Sequence, residues 1–256
     1  MEYFRQKFKP LVKSSIIFLD FDGVIFDTVD EAYNIALGAL SQEKADIMRT
    51  PKGKELFYKY RYLITDARSY QHLIFSICKV LNKYEGDIES LFKEMSVYKT
   101  QESSEFEERF YAHRAFLRRH AAREWLSWHR PYPFLQMLVE VWDSIKDRIF
   151  IVTTKDEEAV QELMSMHASD TLANVQVLGR EYYKRVGSKR ALIADLMRDL
   201  KAGKSLLVDD SFKVIEECRG LPDLTCLQAA WGYCRPGDPV VAAEEVIDQI
   251  MSKHGG

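Results

Sequence analysis

Ser15-Ile16-Ile17-Phe18-Leu19-Asp20-Phe21-Asp22-Gly23-Val24 is the stretch whose reading decides the fold. An apolar run of strand length stops abruptly at two carboxylates and a glycine. Apolar runs this short, rich in β-branched residues, fit strands buried on both faces of a parallel sheet. Two later runs have the same form. Arg148-Ile149-Phe150-Ile151-Val152 leads into Thr153 and Thr154, and Ser205-Leu206-Leu207-Val208 leads into Asp209 and Asp210. Weaker strands are expected at 175–178 and 224–227. Helical periodicity lies between and after them, at 134–145, 157–166, 188–200 and 212–219. This alternation predicts an α/β fold with a Rossmann-like, doubly wound parallel sheet.

The alternation is interrupted once. Between Thr28 and Arg130 the chain carries only amphipathic helical patterning, with candidate helices at 30–48, 52–63, 67–82 and 103–128. A crossover between neighbouring parallel strands needs only about a dozen residues, so the segment 30–130 is read as an inserted all-helical cap domain. The core is then 1–29 together with 131–256. Pro131-Tyr132-Pro133 stiffens the return into it.

Composition sets the outer bounds. The chain has 256 residues, 46% hydrophobic and 29% charged, as in an ordinary globular protein. A formal net charge of −3 gives no general attraction to nucleic acid or an anionic membrane, so any anion site must be local. Cys78, Cys218, Cys226 and Cys234 show no close pairing of the kind found in zinc or redox sites and are expected to be reduced, partly buried thiols. The segment Met1 to Pro10 is charged and aromatic and lacks the apolar stretch of a signal peptide. A cytoplasmic protein is expected, without nucleic-acid or membrane partners. No sequence feature bears on oligomeric state.

Ligands of parallel α/β sheets sit beyond the carboxyl ends of the strands. The three runs therefore bring Asp20 and Asp22, Thr153, and Asp209 and Asp210 to one edge, with Lys189 opening the helix before the last pair. One Asp-x-Asp-Gly alone is common in turns, and a lone Thr or Lys is most often structural. Their order after buried strands carries the signal.

On these residues the chain resembles the haloacid dehalogenase superfamily, and its phosphoglycolate-phosphatase-like members in particular. Asp20-Phe21-Asp22-Gly23-Val24, Thr153, Lys189 and Asp209-Asp210 follow the family's motifs in order, over 15–30 and 131–239. The resemblance implies hydrolysis of a small phosphomonoester through an aspartyl-phosphate, with Mg2+ as cofactor. Asp20 would be the nucleophile, and an ordinary carboxylate is ionised at neutral pH without a dedicated base. Asp22 would act as acid and then base, which favours phosphate esters over carbon–halogen bonds. Thr153 and Lys189 would hold the transferring phosphoryl oxygens. Asp20, the backbone carbonyl of Asp22 and Asp210 would bind the metal, with Asp209 holding a metal-bound water or sharing the role. Gly23 allows a sharp turn beside the nucleophile. The same parts would serve a phosphomutase or phosphotransferase, or a phosphate-binding regulatory protein without turnover.

Departures from the family pattern fall on particular residues. Thr154 stands where many members have Asn, and it joins Gly23 and Arg61 as a candidate substrate contact. Lys184 competes with Lys189 for the lysine role, and Asp209-Asp210 are adjacent rather than separated. The adjacent pair could equally be a helix N-cap. In the run 57–62, aromatics are expected to pack inward with Lys59 and Arg61 outward, or Arg61 could face substrate. Arg109, Arg114, Arg118 and Arg119 read as a solvated helix face, and His72, His113, His120 and His129 as helix-surface residues. Trp231-Gly232-Tyr233 follows the last strand, and the resemblance implies that it shapes the site rim.

Overall fold

Five strands form one parallel sheet in the computed structural model, which describes residues 15–97, 100–167, 172 and 175–252. The expectation made for Met1 to Pro10 lies outside the described residues. The strands are β1 (Ile17–Leu19), β2 (Ile149–Val152), β3 (Gln176–Leu178), β4 (Ser205–Asp209) and β5 (Leu224–Gln228), in the spatial order β3-β2-β1-β4-β5. All neighbours run parallel, with Leu19 opposite both Ile151 and Val208. The strand order reverses at the boundary between β1 and β4, which is where doubly wound sheets open a crevice for ligands.

Both faces of β1 are covered. Ile16 and Phe18 enter a cluster with Phe150, Leu192, Ile193, Leu196, Leu207 and Ile215, while Ile17 and Leu19 on the other face are equally buried. Alternate side chains of a strand point to opposite faces, so a run apolar at every position is what a strand covered on both sides requires. Helices Pro133–Ile145, Glu157–His167, Lys189–Asp199 and Phe212–Cys218 lie at the positions the periodicity indicates. Helices Arg180–Val186 and Ala243–Ser252 complete the set described in this unit.

By its contacts the chain divides into two compact units, 1–27 with 131–256, and 28–130. The elements described in the second are helices, apart from Arg130, which opens the two-residue strand Arg130–Pro131. The periodic stretch 30–48 is two helices, Val29–Gly38 and Gln42–Met48, because Ser41 is extended between them. The stretch 103–128 likewise breaks at Ala121 into Gln101–His120 and Ala122–Ser127. Helix Ala67–Leu81 starts at Asp66, whose carboxylate accepts the Ser69 N–H; helix Ile88–Ser96 starts in the same way at Asp87.

The helical unit is held by aromatics and one buried ion pair. The Phe57, Tyr70 and Phe110 rings stack in sequence, with centroids 5.8 and 5.2 Å apart and planes within 11° and 9°. Arg114 is buried, not solvated: its Nε and Nη2 donate to the two oxygens of buried Glu31 at 2.6 and 3.1 Å, and Trp125 Nε1 donates to the same carboxylate. Arg61 is also buried rather than outward. Its Nη1 donates to the Ile64 carbonyl at 3.5 Å, and its guanidinium lies 5.2 Å from the Tyr70 ring centre. His129 is buried too, its Nδ1 2.9 Å from the Trp125 carbonyl oxygen. The four cysteines are free. Among the described residues no helix is long and apolar enough to cross a membrane.

Candidate active site

Asp20 follows β1 directly, and its N–H donates to Val208 O at 2.9 Å, so the backbone still pairs with β4 where the side chain leaves the sheet. The next residues form a tight loop closed by Phe26 N to Phe21 O at 3.0 Å and Gly23 N to Phe26 O at 2.8 Å, with the Phe21 and Phe26 rings stacked beneath. Gly23 turns this loop at φ +87°, a conformation that side-chain-bearing residues rarely adopt. A Cβ there would lie 2.2 Å from Asp210 Oδ2, so the position also admits close approach of that carboxylate.

Lys189 joins the two strand ends. Gly187, at φ +86°, ends helix Arg180–Val186, and Ser188 caps the next helix by accepting the Ala191 N–H at 3.1 Å. That geometry starts the helix at Lys189, whose Nζ lies 2.7 Å from Asp20 Oδ2 and 2.7 Å from Asp209 Oδ2. Lys184 is exposed, with Glu181 at 3.8 Å. The structure thus brings Lys189, not Lys184, to Asp20.

The adjacent aspartates have separate surroundings. Asp209 is fully buried, giving one oxygen to Lys189 and the other to the Ser211 N–H at 2.9 Å. Asp210 Oδ2 accepts the Tyr233 N–H at 2.9 Å. Neither caps the following helix, because Ser211 does, accepting from Val214 N. The Trp231-Gly232-Tyr233 loop is fastened across the site: Trp231 Nε1 donates to Val24 O at 2.8 Å and the Tyr233 hydroxyl to Asp27 Oδ1 at 2.8 Å. Gly232 fits between, since a Cβ on it would come 2.3 Å from Gly23 O and 2.4 Å from Asp210 Cβ.

Asp20, Asp209 and Asp210 form a buried carboxylate trio, with one oxygen of each within 4.8 Å of the others. Such hard oxygen donors suit a divalent cation. Electrostatics point the same way. Burial raises the Asp20 carboxyl from its ordinary 3.8 to about 7; Asp209 and Asp22 add to the effect, and Lys189 opposes it. Lys189 is held above the usual lysine range, because Asp20 and Asp209 together outweigh its own burial. Burial thus works against the ionised form of Asp20 and Lys189 works for it. A further positive charge beside it would restore the carboxylate.

Thr153, at the end of β2, is buried, and its Oγ1 accepts the Lys155 N–H at 3.2 Å; Thr154 beside it is half-buried. Sequence reasoning missed Lys155. This residue is fully buried, and its Nζ lies 3.2 Å from Asp22 Oδ1. Its signal was a lysine three positions past the end of a buried strand, where an unpaired ammonium would be costly.

No protein-family model and no curated protein matches the chain. Solved structures do match. A provisionally assigned phosphoglycolate phosphatase from Lactobacillus delbrueckii subsp. bulgaricus superposes with a TM-score of 0.62 at 16% identity, over 93% of this chain and 99% of that one. A predicted phosphoglycolate phosphatase from Haemophilus somnus gives 0.60 at 15% identity, over 94% and 99%. A haloacid dehalogenase-like family hydrolase from Streptococcus pneumoniae gives 0.53 at 14% identity, over 93% and 98%. The chain shares the fold of haloacid dehalogenase-like hydrolases, as its motif order implies.

Proposed function

We propose that this protein is a magnesium-dependent phosphatase that hydrolyses a small phosphomonoester through an aspartyl-phosphate on Asp20. The observation that carries the reading is the Lys189 ammonium 2.7 Å from both Asp20 and Asp209, beside Asp210, at the sheet's switch point. A carboxylate nucleophile, a fixed cation and a cluster of oxygen donors are what phosphoryl transfer asks of a protein.

In this reading an Asp20 oxygen attacks phosphorus, and the bond from phosphorus to the ester oxygen breaks. Asp22 donates its proton to the departing alkoxide. A water then attacks phosphorus and gives a proton to Asp22, and the bond between Asp20 and phosphorus breaks to release inorganic phosphate. Thr153 and Lys189 hydrogen-bond the phosphoryl oxygens and stabilise the charge that spreads over them. Asp20, Asp210 and the Asp22 carbonyl would hold Mg2+, with Asp209 at its edge. When bound, the ion neutralises the carboxylates facing the phosphate and keeps Asp20 ionised. The helical unit is proposed as the cap that selects the substrate. The free cysteines fit the cytoplasmic setting we assign.

Phosphate release from p-nitrophenyl phosphate tests the proposal, measured with Mg2+ and with chelator for the wild type and Asp20→Asn. Magnesium-dependent release that vanishes in the variant is expected. An Asp20→Asn protein with full activity would end the proposal.

A further inference from the structure

Lys155 has a built environment that phosphoryl binding by Thr153 and Lys189 leaves unused. Its side chain is wholly buried, and a buried ammonium is expensive unless a partner compensates it. Asp22 Oδ1, at 3.2 Å, is such a partner. The backbone that carries the lysine is fixed on two sides. Its N–H donates to Thr153 Oγ1 at 3.2 Å, and its carbonyl accepts the Arg180 N–H at 3.0 Å from the segment after β3. Gly179 presses against the same carbonyl, since a Cβ there would lie 2.8 Å from Lys155 O. The end of β2 and the end of β3 thus aim one ammonium at one carboxylate oxygen.

Asp22 needs such a restraint. It sits on the turn between Asp20 and Gly23, its side chain is partly exposed, and an aspartate carboxylate turns about two side-chain bonds. Proton transfer demands placement within hydrogen-bond reach of the reacting oxygen, and losses are steep when a supporting shell is loose. We infer that Lys155 is a positioning residue, which holds the Asp22 carboxyl group where it exchanges a proton with the ester oxygen and then with water. The inference rests on the phosphatase reading.

The assignment makes a demand that a purely structural lysine would not. In the step that forms the aspartyl-phosphate, only leaving groups that need a proton should notice its loss. Lys155→Met keeps the unbranched stem and removes the ammonium. We measure kcat and KM of the wild type, Lys155→Met, Asp22→Asn and the double variant, with an alkyl phosphate and with 2,4-dinitrophenyl phosphate. Lys155→Met should lose about 10- to 100-fold in kcat/KM, which reports formation of the aspartyl-phosphate, on the alkyl ester and less than about threefold on the dinitrophenyl ester, a fraction of what general acid catalysis supplies. In the Asp22→Asn background it should add less than about threefold, because one function is already gone. An equal loss of kcat/KM on both esters, or full multiplication in the double variant, would overturn the inference while leaving the phosphatase intact. A wild type inactive on both esters removes the phosphatase reading, and this inference with it. Should Lys155→Met fail to fold, Lys155→Gln keeps a donor for Asp22 and Gly179→Ala displaces the lysine backbone. The ratio of losses on the two esters is then read from those proteins.

Discussion

The ammonium of Lys189 stands 2.7 Å from Oδ2 of Asp20, with both groups buried. Removing one member of a buried pair strands the other. Lys189→Met should therefore lose phosphatase activity by about 100-fold or more, the scale of a lost transition-state donor. In chelator it should also be less stable by about 3–5 kcal/mol. Phosphate release and urea denaturation check the two halves separately.

The Asp20 carboxyl carries a pH signature. It ionises at about 7 in the fold against an ordinary value of 3.8, so between those values the folded chain binds more protons than the unfolded one. Stability contributed by this group is full below about 4 and declines as pH rises to about 7. Thermal melts in chelator across pH 4 to 8 should fall over that window relative to Asp20→Asn. With Mg2+ present the decline should flatten, because the cation favours the ionised form. Parallel pH profiles for the two proteins in chelator would contradict this.

Gly232 and Gly23 enclose the Asp210 carboxylate. An alanine at 232 places Cβ 2.4 Å from Asp210 Cβ and 2.3 Å from Gly23 O, so at least one of them must move. Overpacking of this sort costs about 1–3 kcal/mol. Gly232→Ala should raise the Mg2+ concentration for half-maximal activity by about tenfold. Titration of activity with Mg2+ measures it, and an unchanged midpoint would count against Asp210 as a metal ligand.

Arg114 and Glu31 supply a prediction remote from the chemistry. Arg114→Met leaves the Glu31 carboxylate buried with Trp125 Nε1 as a donor and should destabilise the protein by about 3–5 kcal/mol. Arg114→Met with Glu31→Gln should recover part of this loss, because no unpaired charge is left. Chemical denaturation of the three variants tests the coupling.

The strands were legible because a parallel sheet buries both faces, so runs such as Ile149–Val152 are apolar at every position. The acidic and lysine positions were legible because each follows a strand end or a turn signal, as Gly187-Ser188 does before Lys189. Helix Arg180–Val186 was not. Only Tyr182 of its seven residues is buried, so it carries no apolar period. Arg114 and Arg61 misled for a related reason: a helix pattern shows an arginine on a polar face but not a buried glutamate or ring 83 or 9 residues away. Lys155 was missed because its partner, Asp22, lies 133 residues earlier in the chain. The upward push on the Asp20 carboxyl was not legible, because ionisation depends on the three-dimensional company a carboxyl keeps.

The position of β1 in the sheet has a consequence for how the chain comes together. It is the middle strand, yet both its neighbours come from beyond residue 148, and Ile16 N–H finds Ser205 Oγ across 189 residues. During synthesis the segment bearing Asp20 emerges early and has no strand to join until more than half of the chain has followed. The contiguous helical stretch 28–130 needs no such wait. Contacts of this separation slow folding, so the last event in maturation should be the zipping of β1 between β2 and β4. That event is also what brings Asp20 to Asp209.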